Sequence, residues 1–338
     1  MSKLSWWQDT FSRRDFISKS GTLLAAVSLL SYFDWEGVKA MEKKKTRVGV
    51  IKSDDRRQAA RRGLDLVNMP DLSGKQVLIK PNFNTADPAP GSTHNDTLEE
   101  IIDRLWAEGA EEVIIGERSG PPDTEEVMQK KGIFELAEDK NVEVINFDKL
   151  SDDELIHFNR DELSWQDGFH VPRILQEVDH IVAAGCLKTH QYGGQFTMAL
   201  KLAVGIIPRA GTNYMGELHG SHEMRDLIAE ISLAYDPDLY LIDGVEAFTS
   251  GGPGSGERVQ SNVTLVGTDP VAVDATGVAC LKYLGTKDVI MNTPTFELEQ
   301  IARAAEIGLG ISGPEQIEPV SDDPAGEEYI EEIKNYLG

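Results

Sequence analysis

The sequence predicts an α/β fold whose sheet is largely parallel or mixed and carries helices on both faces. Short apolar segments alternate with segments whose apolar residues recur at helical spacing, which is the pattern of βαβ units. The apolar segments also end repeatedly in polar residues or glycine, as strands do where they leave a sheet. Because ligands of open α/β sheets bind outside the carboxyl ends of strands, this second observation predicts a site at one edge of the sheet.

Residues 1–40 are predicted to be a twin-arginine signal peptide, which leaves residues 41–338 as a single α/β domain. Arg13 and Arg14 stand before a weakly apolar run from Gly21 to Phe33, and small residues follow at the predicted cleavage position. The run is shorter than the about 20 residues that a stable membrane anchor needs. The alternative is an amphipathic N-terminal helix. The signal predicts engagement by the twin-arginine translocase and a periplasmic or extracellular location.

Charge and cysteine content narrow the function classes. The chain has 33 Lys and Arg against 57 Asp and Glu, a net charge of −24, which repels nucleic acid and anionic lipid. No nucleic-acid partner is therefore expected. Cys186 and Cys280 are predicted to be small core residues because both lie in apolar segments, although a periplasmic location allows one disulfide. The two cysteines do not form an iron–sulfur motif.

The first half of the chain predicts successive βαβ units. The first strand of these units ends at Pro81, which has no N–H for the ladder, and the following helix is predicted to begin at Asp96 or Thr97. A region from Ser151 to Asp167 is acidic and irregular, and is interpreted as a hairpin or an insertion. The predicted elements in this half are strands at 76–79, 112–115 and 142–147 and helices at about 97–106 and 124–140.

The second half continues the pattern around a glycine-rich loop. That loop, residues 250–257, lacks the Gly-Lys-Ser/Thr of a P-loop and is weak as a nucleotide motif. Pro270 suits the first turn of the helix that follows the last predicted strand. The predicted elements are strands at 179–187, 239–242 and 263–266, a helix that carries Lys201, and helices at 223–235, from 270 and at 327–336.

The residues with the clearest chemical potential lie between Asp179 and Gly205. An apolar strand ends on Lys188, Thr189 and His190, and Lys201 follows as the one cation of an apolar helix. Two lysines near one sheet edge suit a carboxylate or a phosphate, and a lysine in an apolar stretch needs a partner. The imidazole of His190 suits either acid/base chemistry or metal ligation.

Other strand ends are expected to bring further groups to the same edge. Lys80 and Asn82 follow the first predicted strand, and Asp243 is predicted to end another as a catalytic or orienting carboxylate. Gly252 and Gly254 are predicted to let the backbone approach a substrate closely.

A divalent metal is the second kind of ligand that the sequence suggests. His219 is one of two histidines in a short segment, and with His190 and Asp269 it forms the candidate metal set. Two exposed loop histidines are the alternative interpretation of that segment. Asp269 precedes Pro270, so helix capping is its default role and metal ligation the exception.

The ordered motifs resemble the family catalogued as domain of unknown function 362. The matching segments span roughly Val77 to Leu284 and include LIKPN, LKTH, ALKLAVGIIPR and GTDPVAVDATG. Leu202 stands where relatives often have Asn, and the iron–sulfur segment of some relatives is absent. The resemblance brings no established reaction. It implies shared polar and glycine positions at Lys80, Asn82, Lys188, His190, Lys201, His219, Asp243, Gly252, Pro253, Asp269 and Asp274.

Together these patterns predict an exported enzyme that binds a small anionic substrate, with a divalent metal as a further candidate ligand. Lys80, Lys188 and Lys201 are expected to hold the anion. His190 is expected to act with Lys188 and Asp243 in catalysis. The alternative is a non-catalytic periplasmic binding protein or an accessory protein for a redox enzyme. A third hypothesis is a redox protein whose cluster is lost or comes from a partner.

Overall fold

The computed structural model describes residues 45–209 and 212–338. These residues fall in one compact unit. The predicted signal peptide, residues 1–40, lies outside the described residues. Within the described part of the chain, no helix is both long enough and apolar enough to cross a bilayer.

A nine-stranded mixed sheet forms the centre of the fold, in the order β11-β1-β10-β9-β7-β2-β3-β4, with β8 paired to β7. Two further strands, β5 and β6, pair with each other as a separate antiparallel ribbon. The strands are β1 (Thr46–Lys52), β2 (Gln76–Pro81), β3 (Glu112–Glu117), β4 (Glu143–Asn146), β5 (Leu155–Phe158), β6 (Phe169–Pro172), β7 (His180–His190), β8 (Gln195–Thr197), β9 (Leu239–Gly251), β10 (Gly256–Gly267) and β11 (Ile317–Val320).

The parallel part of the sheet sets the position of the strand ends. β4, β3, β2, β7 and β9 run parallel in that order, so their carboxyl ends meet at one edge. β10 runs antiparallel to both β9 and β1, which makes the sheet mixed. The predicted α/β class with a largely parallel or mixed sheet is confirmed.

Helices cover both faces of the sheet because alternate strand residues point to opposite sides. In β2, Val77 and Ile79 belong to the core under one set of helices, whereas Leu78 belongs to the core on the other face. The helices are α1 (Arg56–Leu66), α2 (Asn95–Ala107), α3 (Thr124–Lys130), α4 (Ile133–Lys140), α5 (Ile174–Glu177), α6 (Ala199–Leu202), α7 (Tyr214–Gly220), α8 (Met224–Ile231), α9 (Pro270–Tyr283), α10 (Asp288–Met291), α11 (Glu299–Glu306) and α12 (Pro324–Ile333).

The two faces differ in which helices they hold. The first core joins α1 to α4 to the sheet, through residues such as Leu64, Leu98 and Val127. The second joins α6 to α9, α11 and α12 to the opposite face, and α9 is buried along nearly its whole length. α9 is therefore the central helix of the layer that also contains α6, α7 and α8.

Two strands are much longer than predicted. β9 does not end at Asp243 but continues to Gly251, and β10 begins at Gly256 rather than at Val263. Asp243 does not interrupt β9, because Arg56 and Thr97 donate hydrogen bonds to its carboxylate. The glycine-rich loop is consequently only the turn of a long β9–β10 hairpin.

Smaller differences concern helix ends. The predicted helix at 124–140 is two helices, because Gly132 adopts a left-handed conformation with φ 69°. α2 is capped by His94, whose Nδ1 accepts the N–H of Asp96, rather than by Asp96 or Thr97. The irregular acidic region contributes β5, whose partner β6 lies just beyond it, so that region forms part of a hairpin.

Candidate functional site

A cleft of about 1410 Å³ opens at the edge of the sheet where the parallel strands have their carboxyl ends. Loops after β2, β3 and β7, the β9–β10 turn, and helices α6, α7 and α8 form its walls. A smaller pocket extends inward to Lys80, and both spaces are lined by Arg118, His190 and Lys201. These three side chains therefore form the junction between the cleft and its inner end.

Lys201 projects from α6, whose position is fixed by a buried carboxylate. Asp274, inside α9, accepts the backbone N–H groups of Ala199 at 2.6 Å and of Leu200 at 3.2 Å. These two donors belong to the first turn of α6, where a helix has unsatisfied N–H groups. Burial raises the pKa of Asp274 to about 7, although the hydrogen bonds oppose this rise. The most buried helix thus holds the short helix that carries Lys201.

The Lys201 ammonium lacks a hydrogen-bond acceptor or a counter-ion among residues 45–209 and 212–338. Burial lowers its pKa to about 8, and the nearby cations Lys188 and Arg118 lower it further in the same direction. A Cβ placed on Gly194 would lie 2.6 Å from Cε of Lys201 and 3.3 Å from Nδ1 of His190. The absence of a side chain at Gly194 therefore lets the lysine and the imidazole lie against the same turn.

His190 is the last residue of β7, and its ring is fixed by backbone contacts. Its Nδ1 accepts the N–H of Tyr192 at 3.2 Å, which leaves the proton of the neutral ring on Nε2. Burial, and then the positive charge of Lys201, hold the pKa of His190 well below its usual range. Lys287 donates to the His190 carbonyl at 2.7 Å. The site thus contains a neutral imidazole with a donor at Nε2.

Arg118 follows β3 and is almost completely buried at the junction. Its Nε has no hydrogen-bond partner within the described chain. Burial lowers the pKa of Arg118, as does the nearby Arg209, but a guanidinium remains charged in proteins. The backbone N–H of Arg118 bonds to the carbonyl of Gly205 at 3.2 Å. Arg118 therefore places a cation with one unused, buried donor at the junction.

Lys80, predicted to bind the anion, has its charge neutralised by the protein itself. Its ammonium lies 2.6 Å from the carboxylate of Glu117 and donates to the carbonyl of Pro81 at 2.6 Å. The second carboxylate oxygen of Glu117 accepts the N–H of Phe83 at 2.7 Å. The pair forms the base of the inner pocket and organises the loop after β2.

Lys188 and Asn82 are adjacent but differ in their access to the site. Lys188 is fully buried, and its ammonium donates to the carbonyl of Gly91 at 2.5 Å and to Oδ1 of Asn82 at 3.5 Å. Asn82 lines the inner pocket, whereas Lys188 lines neither space. The contacts of Lys188 therefore fasten the loop after β2 rather than face a substrate.

The assignment of Asp243 as a catalytic group needs correction. Its carboxylate accepts hydrogen bonds from Nε of Arg56 at 3.0 Å, from Oγ1 of Thr97 at 2.9 Å and from the N–H of Val245 at 3.0 Å. The side chain lines neither the cleft nor the inner pocket. Because β9 continues beyond Asp243, this residue lies inside the sheet rather than at its functional edge.

The two glycines predicted to approach a substrate lie in the β9–β10 turn. Gly252 has φ 79°, and a Cβ there would lie 2.0 Å from the carbonyl oxygen of Thr189. Its contact is therefore with the end of β7, and it does not line the cleft. Gly254 does line the cleft, where a Cβ would lie 2.6 Å from a carboxylate oxygen of Asp87. Glycine is required here for packing of the turn against neighbouring loops.

The structure does not bring the candidate metal set together. His190 and His219 both line the cleft. Asp269 lies beyond the other edge of the sheet, because the end of β10 pairs with the beginning of β9. Its carboxylate caps α9 by accepting the N–H of Ala272 at 2.9 Å, so its predicted default role is confirmed. The other carboxylate oxygen accepts the N–H of Ile311 at 2.9 Å. No three His, Cys, Asp or Glu side chains in the described ranges are grouped to hold a metal ion.

A family model described as "Domain of unknown function (DUF362)" matches residues 77–279. The chain belongs to the DUF362 family. No protein of curated function matches the sequence. Among solved structures, the lactate racemase apoprotein from Thermoanaerobacterium thermosaccharolyticum is similar, with 13% identity, 86% of each chain covered and a TM-score of 0.43. Similarity at this level carries no argument about the chemistry of the cleft.

The DUF362 match includes all three junction residues but not all of the residues that support them. Arg118, His190 and Lys201 lie inside the matched residues 77–279. Lys287, which fixes the end of β7, lies beyond them. The burial of both cysteines is a further feature of this DUF362 chain, and neither is in a disulfide. Burial raises the pKa of Cys186 to about 11, so its thiol is a core group rather than a nucleophile.

Sequence reasoning missed several groups that line the cleft. Arg209 forms an ion pair with Asp148 and donates to the carbonyl of Pro122 at 2.8 Å, so it joins the loop after β3 to the cleft wall. Tyr192 stands at the cleft with 62% of its surface exposed. The ALKLAVGIIPR motif of the DUF362 resemblance contains Arg209, and that position was its only signal.

Proposed function

We propose that this DUF362 protein is an enzyme that binds a small anionic substrate, a carboxylate or a phosphate, in the cleft at the carboxyl edge of the parallel strands. The observation that carries the proposal is the pair of cations at the junction. The ammonium of Lys201 and Nε of Arg118 are buried or half-buried donors without partners in the described chain. A buried donor such as Nε of Arg118 is costly unless a ligand satisfies it, and an anion would also bond to the half-buried Lys201 ammonium.

Each junction residue has a distinct role in the proposal. Arg118 binds the anion through its planar guanidinium, which matches carboxylate and phosphate oxygens. Lys201, which also lines the inner pocket, contributes a second donor. His190 is neutral and donates from Nε2 to an oxygen of the substrate. Groups with perturbed pKa values in one cleft are typical of catalytic sites, which favours an enzyme over a simple binding protein.

The first test measures anion binding by the mature protein. Isothermal titration with a panel of small carboxylates and phosphates should identify ligands, and Arg118→Gln should weaken their binding about 10- to 100-fold. This range follows from the loss of one charge-assisted hydrogen bond, worth about 1.5–3 kcal/mol. Lys201→Met should weaken binding by a similar factor. Substrate conversion is then followed by nuclear magnetic resonance with every ligand that binds.

Lys130→Met is the matched control, because the Lys130 side chain is 65% exposed and lies outside the cleft. Its binding constants should equal those of the unaltered protein. If the Arg118→Gln and Lys201→Met proteins bound anions as tightly as the unaltered protein, the anions would bind elsewhere. Binding without conversion of any ligand would favour the periplasmic binding or accessory protein instead.

We further propose that the protein acts after export by the twin-arginine translocase, in the periplasm or outside the cell. The support is the pair Arg13 and Arg14 before an apolar run in residues 1–40. This route transports folded proteins, so the cleft would be complete before export. The proposed partners are the translocase and a small anionic molecule.

A further inference from the structure

Lys201 differs from the other lysines whose pKa is lowered by burial. Those lysines have partners: Lys131 lies over the ring of Phe83, at 5.2 Å from its centroid, and the rest donate to named acceptors. Lys201 has no such partner in the described ranges, although it lines both the cleft and the inner pocket. The lysines with acceptors are Lys52, Lys80, Lys188, Lys282 and Lys287. An amine that is left unbonded at the end of a cleft is available for a bond to a ligand.

The neighbours of Lys201 suit a substrate with two different functional groups. Arg118 offers a permanent cation for a carboxylate, and it is close enough to Lys201 to depress the pKa of the amine. His190 lies against the same glycine as the lysine and offers its Nε2–H as a donor. A substrate with a carbonyl group beside a carboxylate suits a pocket lined by an amine, a guanidinium and an imidazole donor.

We propose that Lys201 is a catalytic nucleophile that forms an imine with a 2-oxo acid whose carboxylate is bound by Arg118. The inference rests on the proposed anion site and narrows its substrate class. Lysines that are desolvated or near another cation form such imines readily, because a larger fraction of the amine is neutral. With a pKa of about 8, a substantial part of Lys201 is neutral near pH 7 to 8.

The step consumes only the amine and the carbonyl compound. The ammonium first releases a proton to solvent, and the nitrogen lone pair then forms a bond to the carbonyl carbon. The carbonyl oxygen, which accepts a hydrogen bond from Nε2–H of His190, becomes a hydroxyl by taking up a proton. That hydroxyl leaves as water with a proton from the nitrogen, and a carbon–nitrogen double bond remains. No oxidant or reductant is needed.

The test is reductive trapping on the mature protein. Pyruvate, glyoxylate and phenylpyruvate are each added with sodium borohydride, and the modified peptides are identified by mass spectrometry. Lys201 should carry the acid less one oxygen atom, which is the mass of a reduced imine. At pH 7 its labelling should exceed that of exposed Lys130 by at least about 10-fold, since a lower pKa leaves more neutral amine. Labelling should rise as the pH passes through about 8.

Two controls separate this inference from the proposed function. Lys201→Arg keeps a cation but removes the primary amine, so it should give no adduct at position 201. Propionate, which has no 2-oxo group, should compete with pyruvate and reduce trapping.

Two outcomes distinguish failure of this inference from failure of the proposed function. Labelling of Lys201 no faster than of Lys130 by all three acids, with anion binding that still depends on Arg118, would overturn the nucleophile and leave the anion site standing. Anion binding that is indifferent to Arg118 and Lys201 would remove the proposed function and this inference together.

Discussion

At the scale of single residues, the inner pocket depends on one buried ion pair. Lys80 and Glu117 are each 1% exposed, and their charges lie 2.6 Å apart. Two ions in such a position are expensive to desolvate, and their attraction with further hydrogen bonds offsets that cost. Removal of one partner leaves the other charge buried and uncompensated. A substitution that removes the charge of Glu117 but keeps the shape of its side chain should therefore destabilise the protein.

Glu117→Gln should lower the free energy of unfolding by about 3–5 kcal/mol, the range for breaking a buried ion pair by removing one partner. Urea denaturation of the mature protein measures this loss. Glu126→Gln is the matched control, because Glu126 pairs with Lys130 on the surface with side chains 68% and 65% exposed. That change should cost less than about 1 kcal/mol. Similar losses in the two variants would contradict the role given to Glu117.

At the residue scale, the sequence points to the cleft where a residue conflicts with its own neighbours. Lys201 stands alone in an apolar helix, and it does line the cleft. Lys188 was also predicted to hold the anion, from its place at the end of an apolar strand, yet its ammonium is bonded to the carbonyl of Gly91, 97 positions away. No local pattern reveals such a distant acceptor. Arg118 is absent from the predicted site residues, because the lack of a partner for its Nε is visible only in three dimensions.

At the scale of elements, the β9–β10 hairpin shows why strand ends were predicted too early. Asp243, Gly244 and Glu246 resemble a loop when read along the chain. In the structure the ladder between β9 and β10 continues past them, with a register shift between Gln260 and Val263. β9 pairs with β10, which is itself longer than predicted, and this pairing overrides the local polarity of the sequence. The hairpin turn reaches the cleft only because both strands are long.

Gly252→Ala tests how closely this turn must approach β7. An alanine there adopts a left-handed conformation and places its Cβ 2.0 Å from the Thr189 carbonyl oxygen. The conformation costs about 1–2 kcal/mol, and the forced shift should add about 1–3 kcal/mol. Thermal or urea unfolding measures the sum, and anion affinity should fall with it because the turn carries Gly254.

Gly285→Ala is the matched control for backbone conformation. Gly285 has φ 82°, close to that of Gly252, but a Cβ there would meet no atom within 4 Å. Its unfolding free energy should therefore fall only by the conformational part. If both alanine variants lost the same stability, the approach of the turn to β7 would be looser than the geometry indicates.

At the scale of the whole molecule, the order of the sheet was beyond sequence reasoning although its class was not. Alternating strand and helix patterns identify an α/β fold, and the βαβ unit of β2, α2 and β3 was recognised directly. The direction reverses at β10, which runs antiparallel to both β9 and β1, whereas β11 runs parallel to β1. The pairings of β1 with β10 and β11 join residues more than two hundred positions apart. This same reversal sends Asp269 to the opposite edge, away from His190.

The location of the protein is also a property of the whole molecule, and the paired arginines test it. Replacement of Arg13 and Arg14 by lysine should keep the precursor in the cytoplasm, because twin-arginine export depends on the arginine pair. Cell fractionation with immunoblotting measures the distribution of precursor and mature protein. Replacement of Lys43 and Lys44 by arginine is a control outside the pair. Unchanged export of the twin-lysine protein would indicate the general secretion route.

The bond from Lys287 to the end of β7 has a practical meaning for anyone who divides this protein into modules. The family match ends at residue 279, inside α9. Lys287 and Gln300 lie after that limit, yet the first donates to the carbonyl of His190 and the second to the carboxylate of Asp274. A shortened chain that keeps only residues 77–279 would lose both hydrogen bonds. The first supports His190, and the second supports Asp274, which holds the helix of Lys201. A graft of the same residues onto another protein would lose them too. The region that the family model matches is therefore smaller than the part of the chain that holds His190 and α6 in place.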